Sequence, residues 1–399
     1  MLHTLRARVA VLGLASVAVA SVAIEGQRGR GDNPFPGGTN PDGSLRPTAP
    51  LARLFTQDAY TEYAILEPGS AAFRIRFLTE ETRPGAIELV NATRGGSEGS
   101  DIEVYDPRKG KAMPFTYEED KNDPETHAIH ARLPIQVPAG GIGRALIHKT
   151  YKDPRTYMMH GDDIVWVRSL SGYRLGVLLP KGFAFISSNV AAQVSTTDDG
   201  RLKLAFANPS GQSNPVTIHA RRTTASFAAA PYVDMFFDDV KTIYDLAAPE
   251  SHRITIDQSY SDYRRGERAR LDALSYLPLD DVQVIDLDTA RPLGIVRDKS
   301  ATFAKLSVPI ENDKQSAHLR ITGTLTDPSY RLDVSNGNDL VFDRALRGLR
   351  NTILLPAGWE LASVSQSGTI GTYEGRTFVA LINLNAENNY TVRIRARKR

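Results

Sequence analysis

Hydrophobic and polar residues alternate along most of this chain with a period of two. Phe73, Ile75 and Phe77 alternate with Arg74 and Arg76; Leu202, Leu204 and Phe206 with Lys203 and Ala205; Val392, Ile394 and Ala396 with Arg393, Arg395 and Arg397. Successive side chains of a strand face opposite sides, so such runs predict half-buried β-strands. Clusters of Gly, Pro, Asn and Asp separate them, with explicit turns at Asp198-Asp199-Gly200, Asn336-Gly337 and Glu374-Gly375. One helical turn is expected, between Pro231 and Tyr244.

The pattern also recurs over a longer distance. GDDIVWVRSLSGYRLGVLLPKGF, from Gly161, aligns without a gap on GNDLVFDRALRGLRNTILLPAGW, from Gly337. Identities include Asp163/Asp339, Arg168/Arg344, Gly172/Gly348, Pro180/Pro356 and Gly182/Gly358, and aromatics match at Trp166/Phe342 and Phe183/Trp359. Earlier, Tyr63/Tyr244, Pro68/Pro249, Ser70/Ser251, Phe73/Ile254 and Ile75/Ile256 coincide at a slightly larger offset, and Asp101-Ile102-Glu103-Val104 resembles Asp281-Val282-Gln283-Val284. Three blocks in one order, with offsets that drift as loop insertions would make them drift, predict an internal repeat of about 170 residues.

The expected fold is therefore all-β: a tandem duplication of an Ig-like antiparallel β-sandwich unit, each unit being either one sandwich or two sub-sandwiches. Arg6 and Arg8, the apolar run Val9–Ala23 and small-x-small sites at its end predict a signal peptide over residues 1–23. Residues 24–51 hold five prolines and no apolar period, and read as a flexible linker. Residues 52–227 and 228–399 are the two expected sandwich units. An exported protein follows, periplasmic, secreted or at the cell surface, with no membrane span after the signal is removed.

Charge and cysteine content narrow the function. Without Arg6 and Arg8 the chain has as many Lys and Arg as Asp and Glu, so it lacks the basic surplus that nucleic-acid binding needs. The absence of cysteine excludes disulfides, thiolate catalysis and Cys-ligated metals. Gly95-Gly96-Ser97-Glu98-Gly99 matches the G-x-S-x-G pattern, yet a strand-like run, Ile102–Tyr105, follows Ser97 where a nucleophile elbow needs a helix. His127 and His130, with His148 and His160, form the one histidine cluster; i and i+3 point to opposite faces of a strand, so the pair does not converge on a zinc ion. His318 lies near the matching block alone. Asp162 and Asp163, with Asn336, Asn338 and Asp339 in the second copy, resemble fragments of a calcium loop without its closing Glu, and read as Asx turns. Asp163/Asp339 and Arg168/Arg344 are expected to form an internal ion pair, with a ligand role for the arginine as the alternative. Asn91-Ala92-Thr93 and Asn389-Tyr390-Thr391 match the glycosylation pattern. Tyr60 and Tyr63, Tyr151 and Tyr157, and Tyr260 and Tyr263 could stack on sugars if exposed, or pack the core if not.

Two features carry a resemblance: the Leu-Leu-Pro-x-Gly-aromatic blocks, and the Pro-x-Ser opening before a Phe-x-Ile strand. They resemble uncharacterised secreted bacterial β-sandwich proteins, and over about a third of each unit they are similar to the N-terminal β domain of glycyl aminopeptidase-type metallopeptidases. No H-E-x-x-H occurs, so the resemblance implies no activity and carries over no site residue. No catalytic, cofactor-binding or metal residue is assigned. The expected function is a non-catalytic exported binding, adhesion or accessory scaffold protein with a protein or glycan partner at the cell surface. Alternatives are a carbohydrate-binding or carbohydrate-processing protein, and a self-assembling surface or filament subunit that associates through edge strands.

Overall fold

The alternating runs fold as strands. The computed structural model describes residues 49–50, 59–93, 97–120, 123–170, 174–207, 214–227, 238–262, 270–273, 278–298, 305–309, 317–383 and 389–399. The expected signal peptide and most of the expected linker lie outside them. Among the described residues the only helical elements are two 3-10 turns, Pro249–Ser251 and Val334–Asn336, and no helix is long and apolar enough to cross a membrane.

The protein is all-β, with several antiparallel-rich sheets in a repeat-like arrangement. The long sheet of the first half runs, in order across it, through Gln193–Thr196, Leu202–Ala207, Arg174–Leu178, Ala59–Ile65, Ala72–Glu81, Gly143–Lys152, Glu98–Asp106 and Lys111–Ala112. That of the second half runs through Gly368–Tyr373, Arg376–Ile382, Arg350–Leu354, Asp238–Leu246, Arg253–Asp262, Ala317–Thr326, Asp280–Asp286 and Arg291–Pro292. Strand for strand the two orders match. In each, the third and fourth strands pair in parallel. Ala49–Pro50 extends the second sheet at its outer edge, in parallel with Gly368–Tyr373.

Two smaller sheets accompany each long one. A four-stranded sheet orders Tyr157–His160, Asp163–Leu170, Asn214–Arg222 and Phe183–Ser188; its counterpart orders Tyr330–Asp333, Asp339–Leu346, Tyr390–Lys398 and Trp359–Val364. A three-stranded sheet orders Glu88–Ala92, Asp123–Arg132 and Phe115–Asp120; its counterpart orders Arg270–Ala273, Lys305–Pro309 and Val296–Asp298. Irregularities recur too. Register shifts fall between Ser100 and Glu103 and between Asp280 and Gln283, and inside them Asp101 and Asp281 take positive φ of 49° and 51°. Asp tolerates the left-handed region better than most residues, which suits it to a bulge.

Parity along the strands decides the packing. In the first half the odd-numbered face of Ala72–Glu81 and Gly143–Lys152 is covered twice. Phe73, Ile75 and Tyr151 pack on Ile164, Trp166 and Ile218 of the four-stranded sheet. Ala145 and Ile147 pack on Leu89, Ile129 and Ala131 of the three-stranded sheet, and Phe77 touches both cores. One long sheet thus packs against both small sheets. The even-numbered face turns toward the second half: Tyr60, Leu78 and Leu146 bury Leu349. Beside this apolar contact, the buried Arg144 and Glu80 face the buried Asp288 and His318, with His318 Nε2 3.5 Å from Glu80. Ile142 N–H donates to Leu287 O at 2.7 Å across the same contact.

The expected helical turn between Pro231 and Tyr244 is overturned where it is described, because Asp238–Leu246 is a strand paired with Arg253–Asp262. Thr242, Ile243 and Tyr244 are all buried, so this central strand is covered on both faces. Burial on both faces erases the alternation that marks a half-buried strand.

Candidate functional site

The seam between the two small sheets of the first half leaves a cleft of about 360 Å³ over the long sheet. Its floor is Thr61, Tyr63, Ile75, Phe77, Lys149 and Tyr151; Asn91, Ala92 and Thr93 come from one side, and Arg168 and Ser169 from the other. Among the described residues none of the lining is acidic.

Lys149 stands on the inward face of its strand, between Ile147 and Tyr151, and is 4% exposed. Its Nζ donates to Asn91 Oδ1 at 2.6 Å and lies 4.9 Å from the Tyr151 ring centroid. Neither partner is charged. Burial, reinforced by the Arg168 charge, pushes the Lys149 amine down to about 7. Arg168 follows Ile164 and Trp166 on the inward face of Asp163–Leu170 and is 7% exposed. Its guanidinium carbon lies 5.2 Å from the Tyr63 and Phe73 ring centroids and 5.6 Å from that of Tyr151. Cation–π attraction offsets part of its desolvation, but Nη1 is buried without a hydrogen-bond partner. Two buried basic groups without a carboxylate partner among the described residues are costly to the fold, and both border the cleft.

The second half treats the matching positions differently. Lys149 pairs across its strand with Ile75, and the matching Ile256 pairs with Gly323. A Cβ at Gly323 would meet Leu279 and Asp280 O at 3.0–3.2 Å, so a side chain there would have to push its neighbours aside by a few tenths of an ångström. Arg344, the counterpart of Arg168, is held by Asp327. Asp153, which occupies the position of Asp327 in the first half, is taken up by Thr156 Oγ1 at 2.8 Å and by Arg155.

The expected Asp163–Arg168 and Asp339–Arg344 pairs do not form. Five residues apart on a strand, the two side chains point to opposite faces. Asp163 instead receives Arg221 at 2.7 Å, and Asp339 receives Arg395 and Arg397 at 3.5 Å each. Asp162 receives Arg222. The C-terminal basic run is neutralised likewise: Arg393 by Asp343, Arg395 by Asp333 and Arg399 by Glu360.

The remaining candidates scatter. Ser97 is buried just ahead of the strand Glu98–Asp106, its Oγ without a hydrogen-bond partner. His127 stacks on Tyr117, His130 sits 3.1 Å from Glu88, and His148 lies on a different sheet, 3.7 Å from Glu103. Among the described residues no three His, Asp or Glu side chains gather as a metal site. Tyr60, Tyr63, Tyr151 and Tyr157 are all buried. A second cleft, about 690 Å³, is lined by Glu250, Trp359, Asp339, Arg397 and others, but its Asp339 and Arg397 already face each other.

Neither the family models nor the curated proteins contain a match to this chain.

Proposed function

We propose that this is an exported, non-catalytic binding protein built from two copies of an Ig-like sandwich unit, and that the first copy carries a site for a small anionic ligand. The matching strand orders, bulges and sequence blocks support the duplication. The N-terminal Arg6, Arg8 and Val9–Ala23 support export. One observation carries the ligand reading: Arg168 has a buried Nη1 without a hydrogen-bond partner in a cleft whose described lining holds no acid, whereas Arg344 is paired with Asp327. Carboxylate, phosphate and sulfate groups match a guanidinium's donors, and 360 Å³ suits a ligand of a few to some twenty heavy atoms.

Calorimetric titration with acetate, phosphate, sulfate and a uronic acid tests it. Saturable binding is expected, lost in Arg168→Gln and kept in Arg344→Gln. Silence across the panel at millimolar concentration rules the reading out.

A second reading, self-assembly, draws support from Ala49–Pro50, which adds to an edge strand of the second long sheet. It predicts oligomers by size-exclusion chromatography that disappear when residues 24–50 are removed.

A further inference from the structure

Two lysines are buried in the long sheet of the first half, and they are handled in opposite ways. Lys203, on the face toward the second half, meets the Glu62 carboxylate at 2.6 Å. Lys149, on the cleft face, meets an amide oxygen, an aromatic ring and a neighbouring guanidinium. The amide oxygen and the ring are uncharged, and burial with the neighbouring guanidinium outweighs them and drives the proton off the amine. A lysine desolvated among aromatics and next to a second cation is the arrangement that turns an amine into a nucleophile at neutral pH. Both the amine and the guanidinium border the same cleft, packed around the Tyr151 ring.

We infer that Lys149 captures the carbonyl carbon of a small oxo acid as an imine, while the acid's carboxylate rests on Arg168. This rests on the reading of the cleft as an anion site and names the ligand class for it. The Nζ lone pair adds to the carbonyl carbon. The resulting carbinolamine loses its oxygen as water, which carries away the two protons of the amine, and a carbon–nitrogen double bond remains. No oxidant or second substrate is required, and hydrolysis reverses the step. With the amine near 7 against an ordinary 10.5, its unprotonated fraction at pH 7 is roughly a thousandfold that of an exposed lysine.

The test is reductive trapping. The whole protein is incubated at pH 7 with glyoxylate or pyruvate and cyanoborohydride, and the modified lysines are located by peptide mass spectrometry. Lys152, exposed on the same strand, is the internal reference. Lys149 is expected to be modified at least about tenfold faster than Lys152, and the fast adduct to vanish in Lys149→Arg. In Arg168→Gln, capture of pyruvate should slow more than capture of the uncharged propanal. Modification of Lys152 with Lys149 untouched overturns the inference, and wild-type protein alone suffices for that result. If calorimetry still detects anion binding in that case, only the covalent step fails; if it does not, the anion site fails with it.

Discussion

Arg144 of the first half grips Asp288 of the second through two parallel hydrogen bonds, Nε to Oδ1 at 2.7 Å and Nη2 to Oδ2 at 2.5 Å, and both residues are buried. The pair joins a strand of the first half to a turn of the second, 144 residues away in sequence. Removing one partner strands the other charge away from water, so Arg144→Met or Asp288→Leu alone should cost about 3–5 kcal/mol. The double substitution should recover most of that loss, because apolar groups of similar volume restore packing without a desolvated charge. Urea unfolding of the three variants checks it; additive losses would count against a direct pair.

Lys149 gives a pH signature. Its folded value is about 7, its unfolded value near 10.5, so between those limits the unfolded chain binds more protons. Stability from this group therefore rises as pH climbs from 7 to 10.5 and is flat below 7. Lys149→Met should be more stable than wild type at pH 7, by a few kcal/mol on the order set by its shift, and the advantage should vanish near pH 11. Thermal melts across that range decide the matter.

Glu62 works in the opposite sense. Burial pushes its carboxyl up, but the charges of Lys203 and Arg76 outweigh burial and hold it below its ordinary 4.5. Its contribution is present above that value and lost as pH falls through the folded one. Glu62→Gln should cost about 3 kcal/mol at pH 7, measured by denaturant unfolding, with the gap narrowing below pH 4.

Gly348 sits at φ +82°, and a Cβ there would meet Val240 at 3.0 Å. Gly348→Ala carries both a left-handed backbone penalty and a clash, so a loss of about 2–3 kcal/mol is expected in the melting curve. Gly375 also has positive φ, but its Cβ would meet nothing, so Gly375→Ala should cost about 1 kcal/mol.

Much of this architecture was legible in the residues. Phe73, Ile75 and Phe77 do face a core, and Gly182 and Gly358 do take left-handed backbone, at φ +78° and +77°. Asp238–Leu246 was not legible, since a strand buried on both faces carries no alternation. The site was half legible. Arg168 stands out by recurring at Arg344, but the Asp163 partner that nearness in sequence suggests lies on the opposite face of the strand. Lys149 has no counterpart in the repeat, where Gly323 takes its place, so the repeat does not single it out. The signal available was parity: Ala145, Ile147, Lys149 and Tyr151 share one face, and a lysine among them breaks the apolar pattern. Its lowered basicity comes from burial and from the charge of Arg168, which approaches from another sheet.

The contrast between Lys149 and Gly323 has an experimental consequence. One half bears the lysine and the other, on the same strand frame, has a glycine in its place. Every molecule therefore carries its own blank: a reagent, spectroscopic probe or ligand that reports on the cleft can be read against the vacant equivalent in the same tube, under identical salt, pH and temperature.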